Sequence, residues 1–110
     1  MTTTTLRTGP FWSVDQIKQT NARLGHYWFT PEAMRFFDSR ILSRVYGGRL
    51  FVSSERFDDE SPRRYTIRAV ANDGSVSTVG AFQQYGSRRE AITAAEGMEE
   101  SMLAVWRLED

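Results

Sequence analysis

The sequence predicts an α+β fold, a three-stranded antiparallel meander packed against helices in the order α-α-β-β-β-α, and three observations carry this. Over 64–82, Tyr65, Ile67 and Ala69 alternate with Thr66, Arg68 and Val70, while Val76, Thr78 and Phe82 share one face of a second run; this is the period-two pattern of a strand pair. Between the runs, Asn72-Asp73-Gly74 supplies residue types that tolerate positive φ and close a tight hairpin. Helix starts stand on either side: Ser13-Val14-Asp15-Gln16, Thr30-Pro31-Glu32 and Ser87-Arg88-Arg89-Glu90.

Each element follows from local chemistry. Residues 1–10 are Thr-rich without apolar period and are expected to form a flexible tail, leaving 11–110 as a single domain. A first helix starts after Ser13, with Trp12 placed as a hydrophobic staple on Ile17 and Gly25 placed for a left-handed cap. A second starts at Thr30-Pro31, where Met34, Phe37 and Ile41 fall at i, i+3 and i+7 and point to a core. Gly47-Gly48 breaks the chain before a strand over 49–55. The loop 56–63 carries Asp58-Asp59-Glu60 and leads into the hairpin. The last helix runs from about Ser87 to Trp106, with Ala91, Ala94, Ala95, Met98, Met102 and Val105 at helical spacing. Gly97 marks a kink or a close helix-on-sheet contact within it. All helices are expected on one face of the sheet.

Composition narrows the function classes. There is no cysteine, which excludes disulfides, thiolate metal sites and cysteine nucleophiles. No apolar run is long enough to span a bilayer and no signal-peptide pattern opens the chain, so a cytoplasmic protein without membrane contact is expected. Net charge is zero, but residues 1–57 balance to +4 and residues 58–110 to −4. Thirteen of the fourteen cations are Arg. A neutral chain lacks the broad cationic surface of sequence-blind nucleic-acid binding.

No reactive constellation stands out, and the expectation is that the chain is not an enzyme and uses no cofactor or metal. His26, the sole histidine, follows a helix end among aromatics, where a structural role outweighs general-base or ligand chemistry. Asp58-Asp59-Glu60 lacks the calcium-loop pattern and reads as a solvated loop. Phosphate-binding and nucleophile-elbow motifs are absent. What remains is an aromatic and Arg constellation between Phe11 and Tyr46. Most of its rings belong to the core, and the surplus, Trp12 and Trp28, with Arg35, Arg40 and Arg44, forms the predicted surface for a protein partner.

Two resemblances add to this. The C-terminal two-thirds resembles a double-stranded-RNA-binding domain: Gly86-Ser87-Arg88-Arg89-Glu90-Ala91 matches the opening of that family's last helix, and Ala94-Ala95 the alanine pair behind it. The third basic position is Ile92, and the loop Phe57–Pro62 is acidic where that family carries a Gly-Pro-x-His element. The likeness implies nucleic acid as the alternative partner, gripped by Ser87, Arg88 and Arg89 at a helix N-terminus. The chain from about 13 to 95 also resembles small proteins of tailed actinobacterial phages. The residues that carry it are Phe29 with Met34-Arg35-Phe36-Phe37 and Ser39-Arg40, Val45-Tyr46-Gly47-Gly48, Phe51-Val52 with Ser54-Glu55, Arg64-Tyr65-Thr66-Ile67-Arg68 and Thr78-Val79-Gly80 with Phe82. That resemblance implies a phage accessory protein with no assigned activity. Together these readings predict a non-catalytic binding protein, monomer or homodimer, acting on a host or phage protein in the host cytoplasm, in host takeover or anti-defence.

Overall fold

The computed structural model describes residues 11–109, with side chains described over 11–101. The chain runs α1 (Val14–Arg23), α2 (Pro31–Phe36), β1 (Arg40–Ile41), β2 (Leu50–Glu55), β3 (Arg64–Val70), β4 (Val76–Val79) and α3 (Arg88–Glu109). The fold is α+β with an antiparallel sheet, and the sheet has four strands in the order β1-β2-β3-β4 rather than the three predicted. The extra strand pairs Arg40 with Ser54 and Ile41 with Ser53. Two residues cannot display a period, so nothing in the local sequence marks β1. The expected tail over 1–10, and the side chains of Met102 and Val105, lie outside the described residues.

The prediction of helices on one face is also corrected. β2 is buried at every position, which a sheet with one solvated face does not allow. Leu50, Val52 and Ile67 pack with Ala91 and Ala95 of α3, whereas Phe51 and Val70 pack with Phe11, Val14 and Ile17 of the N-terminal part. Successive residues of one strand therefore enter two different cores, as the pleat requires. Ala91 and Ala95 are fully buried, and their small side chains let α3 lie close to β2 and β3. Gly97 is not the contact point: it is exposed, with open space where a side chain would stand.

The helix ends follow the predicted chemistry with three differences. Ser13 Oγ accepts from Gln16 N at 3.2 Å, while Gln16 Oε1 accepts from Trp12 N at 2.7 Å. Trp12 is 85% exposed, so the staple on Ile17 does not form; Phe11, at 5%, enters the core instead. Gly25 closes α1 at φ +88, with its N–H on Ala22 O and that of His26 on Asn21 O. α2 has the same ending without glycine: Asp38, at φ +46, donates to Arg35 O, and Ser39 donates to Met34 O at 2.7 Å. The helix therefore stops at Phe36, and Ile41 reaches the core from β1 rather than from a continuous helical face. At the last helix Ser87 Oγ accepts from Glu90 N at 3.2 Å, the predicted half of a capping box, whereas Glu90 Oε1 accepts from the Ser87 hydroxyl, also at 3.2 Å, and not from a backbone N–H.

No described helix is long and apolar enough to cross a membrane.

Candidate functional site

The inner face of the sheet, opposite α3, is polar towards one end. Register places Ser53 opposite Thr66 and Arg68 opposite Thr78 on the face that also carries Glu55. All but Thr78 are buried. Burial of ionised groups demands partners, and here they are complete. Arg68 Nη2 donates to Glu55 Oε2 at 3.0 Å, Nε to Ser53 Oγ at 3.0 Å and Nη1 to Thr78 Oγ1 at 2.6 Å. Glu55 accepts further from Ser53 Oγ, on Oε2, and from Thr66 Oγ1, on Oε1 at 2.9 Å. Gln83, held at φ +59, closes the end of the network: its N–H reaches Thr66 Oγ1 at 2.8 Å and its Nε2 donates to the Glu55 carbonyl at 2.8 Å. No buried side-chain nitrogen or oxygen is left without a partner among the described residues.

Above this floor lies an open cleft of about 540 Å³. Trp28 forms one wall, Ala33 and Met34 of α2 another, and Phe37, Phe57 and Phe82 the rest, with Glu55, Arg68 and Thr78 beneath. The rings form an interlocked set: Phe37 meets Phe36 at 4.6 Å, Phe57 at 5.4 Å and Phe82 at 5.3 Å between centroids. Trp28 and Phe82 flank the guanidinium of Arg68, at 5.1 and 5.4 Å from its Cζ, a cation–π arrangement suited to a planar cation. Phe36, Phe57 and Phe82 are 75%, 63% and 40% exposed. A contiguous aromatic patch of this kind is what a soluble monomer normally hides.

Beside Phe37 the chain turns at Asp38, whose carboxylate meets Arg63 at 2.6 Å, Arg56 at 2.8 Å and Arg40 at 3.9 Å. Desolvation raises the Asp38 pKa, but the hydrogen bond from Arg56 and the charges of Arg56, Arg63 and Arg40 outweigh it and hold the group below its ordinary value. Asp58 in the acidic loop is also held low, by the Ser61 hydroxyl and the N–H groups of Glu60 and Ser61. That carboxylate caps its own turn. Among the described residues no group of three His, Asp or Glu could hold a metal ion.

The predicted partner-binding residues are scattered. Trp28 lines the cleft, Arg40 stands beside it, and Arg35 is exposed on α2 next to the lining residue Met34. Arg44 is committed elsewhere, bridging to Glu96 at 3.4 Å and Glu99 at 3.2 Å on α3 and stacking over Tyr46. Trp12 is exposed and does not line the cleft. His26 Nε2 lies 3.0 Å from the Asp73 carbonyl, in a contact that ties α1 to the β3–β4 turn. Of the alternative set, Arg88 and Arg89 are exposed and the Ser87 hydroxyl is engaged in its cap. Sequence reasoning did not single out Glu55, Arg68, Phe57 or Phe82. One signal was present: Ser53 and Glu55, and Thr66 and Arg68, are polar at i and i+2, on one face of each strand.

Residues 13–96 match the model of a family of unknown function, DUF7447. No curated protein and no solved structure matches the chain.

Proposed function

We propose that this chain, which belongs to DUF7447, is a non-catalytic binding protein that receives a large apolar side chain of a host or phage protein in its aromatic cleft. The observation that carries this is the patch itself: Phe36, Phe57 and Phe82 are exposed around an open concavity whose floor is an internally satisfied ion pair. Exposed aromatics around a concave site are the common anchors of protein interfaces. The cleft's titratable lining residues are Glu55 and Arg68, and both carboxylate oxygens of Glu55 already accept protein hydrogen bonds. The carboxylate is buried and ion-paired with Arg68, which supports a structural role for it over that of a general base.

A photo-crosslinking benzoyl-phenylalanine placed at position 57, in the native host, tests the reading. A defined adduct is expected from position 57 and not from Thr93 on α3, and it should disappear in Phe82→Ala and Met34→Ala variants that retain their far-UV dichroism. Identical adducts from both positions, or adducts that survive both variants, would overturn it.

A further inference from the structure

We infer that two copies of this chain join edge to edge through β4, antiparallel about a two-fold axis at Ser77, so that their four-stranded sheets become one. The ladder between β3 and β4 shows which backbone groups are available for this. Ala71 N donates to Ser75 O at 2.9 Å, and Tyr65 and Tyr85 exchange both bonds, at 2.8 and 3.0 Å. In an antiparallel ladder, bonded and non-bonded pairs alternate. Ala69–Ser77 and Ile67–Val79 are therefore the bonded pairs, and Val70–Val76 and Arg68–Thr78 are not. Val70 agrees, since its N–H donates the other way, to Arg49 O at 2.9 Å. Val76 and Thr78 thus turn N–H and C=O away from the sheet, and among the described residues neither has a backbone partner outside the ladder.

The two edges of the sheet are finished differently. β1 is two residues long and begins with Arg40, and both brevity and charge discourage pairing. β4 reads Val76-Ser77-Thr78-Val79, with no charge and no proline, although 25% of the chain is charged. An edge left in this state is a template for a further strand.

Geometry fits that strand to a second copy. Two identical edges pair antiparallel only about an axis perpendicular to the sheet, which keeps like faces together and passes through one residue. An axis at Ser77 sets Val76 opposite the partner's Thr78, and Thr78 opposite the partner's Val76, so outward groups meet outward groups and all of them are bonded. An axis at Thr78 would instead set Val76 against the partner's Gly80, which at φ +78 lies outside the strand. With the axis at Ser77 no like charges meet, and β-branched side chains face each other across the seam. Val76 and Val79, half-buried on opposite faces, both gain cover. α3 rests on β2 and β3 and stands back from the seam.

The full chain tests this directly. Sedimentation equilibrium should show a monomer–dimer equilibrium below millimolar concentration. Because the chain has no cysteine, Ser77→Cys gives it a single thiol. The two Ser77 residues form a non-bonded pair, with Cα atoms about 4.5 Å apart, within disulfide reach. Under mild oxidation Ser77→Cys should form a covalent dimer, and Thr93→Cys, exposed on α3, should not. Ser77→Lys and Ser77→Glu, at an exposed position, should each weaken dimerisation about fivefold or more at low salt, and mixing the two should restore it. A chain that stays monomeric at millimolar concentration would overturn the inference. A dimer unchanged by the Lys and Glu substitutions, or cross-linked as readily through Thr93→Cys, would overturn it too, by placing the seam elsewhere.

Discussion

Asn21, buried near the end of α1, donates from Nδ2 to the Gly74 carbonyl at 2.7 Å, joining residues 53 apart in sequence. The contact seats the β3–β4 turn directly on the helix: a Cβ built on Gly74 would come within 2.9 Å of Asn21 N. The same approach brings the Asp73 carbonyl to His26. The N-terminal layer is thus fastened to the sheet at the hairpin end, and Trp28, five residues beyond the end of α1, is carried to its place over Arg68.

Gly74→Ala and Gly25→Ala separate this packing from backbone conformation. Both glycines have positive φ, +81 and +88, but a methyl group on Gly25 would meet nothing within 4 Å. Gly25→Ala should therefore cost only the left-handed conformation, about 1–2 kcal/mol. Gly74→Ala should exceed it by about 1–3 kcal/mol, because helix backbone must also move. Urea denaturation of the two variants checks the difference, and equal losses would show that the turn does not pack on α1 as described.

The Glu55–Arg68 pair makes a second prediction. Glu55→Ala leaves a nearly buried guanidinium without its counter-charge and should cost about 3–5 kcal/mol. The double variant Glu55→Leu with Arg68→Met removes both charges and should recover most of that loss. Denaturation midpoints of the single and double variants at one pH give the comparison. A double variant no more stable than the single would mean that the pair is not coupled.

Much of this architecture was legible because its signals are local. Ser13, Thr30 and Ser87 each cap with side-chain oxygen, and Gly25 ends its helix, since these bonds connect residues three to five apart. β1 was not legible, because its pairing to Ser53 and Ser54 is non-local and two residues long. Asp38 was not legible as a helix stop: a non-glycine residue in the left-handed region is held there by tertiary partners, here three arginines. The cleft was least legible of all, drawing on residues from Trp28 to Phe82 that no spacing rule joins.

Asp38→Asn isolates charge from backbone strain, since Asn also tolerates the left-handed region. The native carboxylate has its pKa held below the ordinary 3.8. A lowered folded-state pKa stabilises the protein above the unfolded value, and the contribution is lost as pH falls through the folded one. Wild type should therefore lose stability as pH drops below about 4, and Asp38→Asn should show a shallower decline. Asp58 and Asp73, also held low, will preserve part of the slope in the variant. Thermal midpoints measured from about pH 2 to 7 decide it, with superimposable slopes refuting a role for Asp38 in the acid limb.

The entry into α1 yields the last prediction. Adjacent aromatics, Phe11 and Trp12, compete for one core position beside Val14 and Ile17, and Phe11 occupies it. The Phe11 backbone explains the choice: its N–H donates to the Gly48 carbonyl at 2.8 Å, which pins that residue against the β2 approach and turns the next side chain outward. Phe11→Ala should then cost about 3–5 kcal/mol, as expected for a buried phenylalanine. Trp12→Ala should change stability by less than about 0.5 kcal/mol despite removing the larger ring. Chemical denaturation of both variants ranks them, and a reversed order would place the tryptophan in the core and the phenylalanine in solvent.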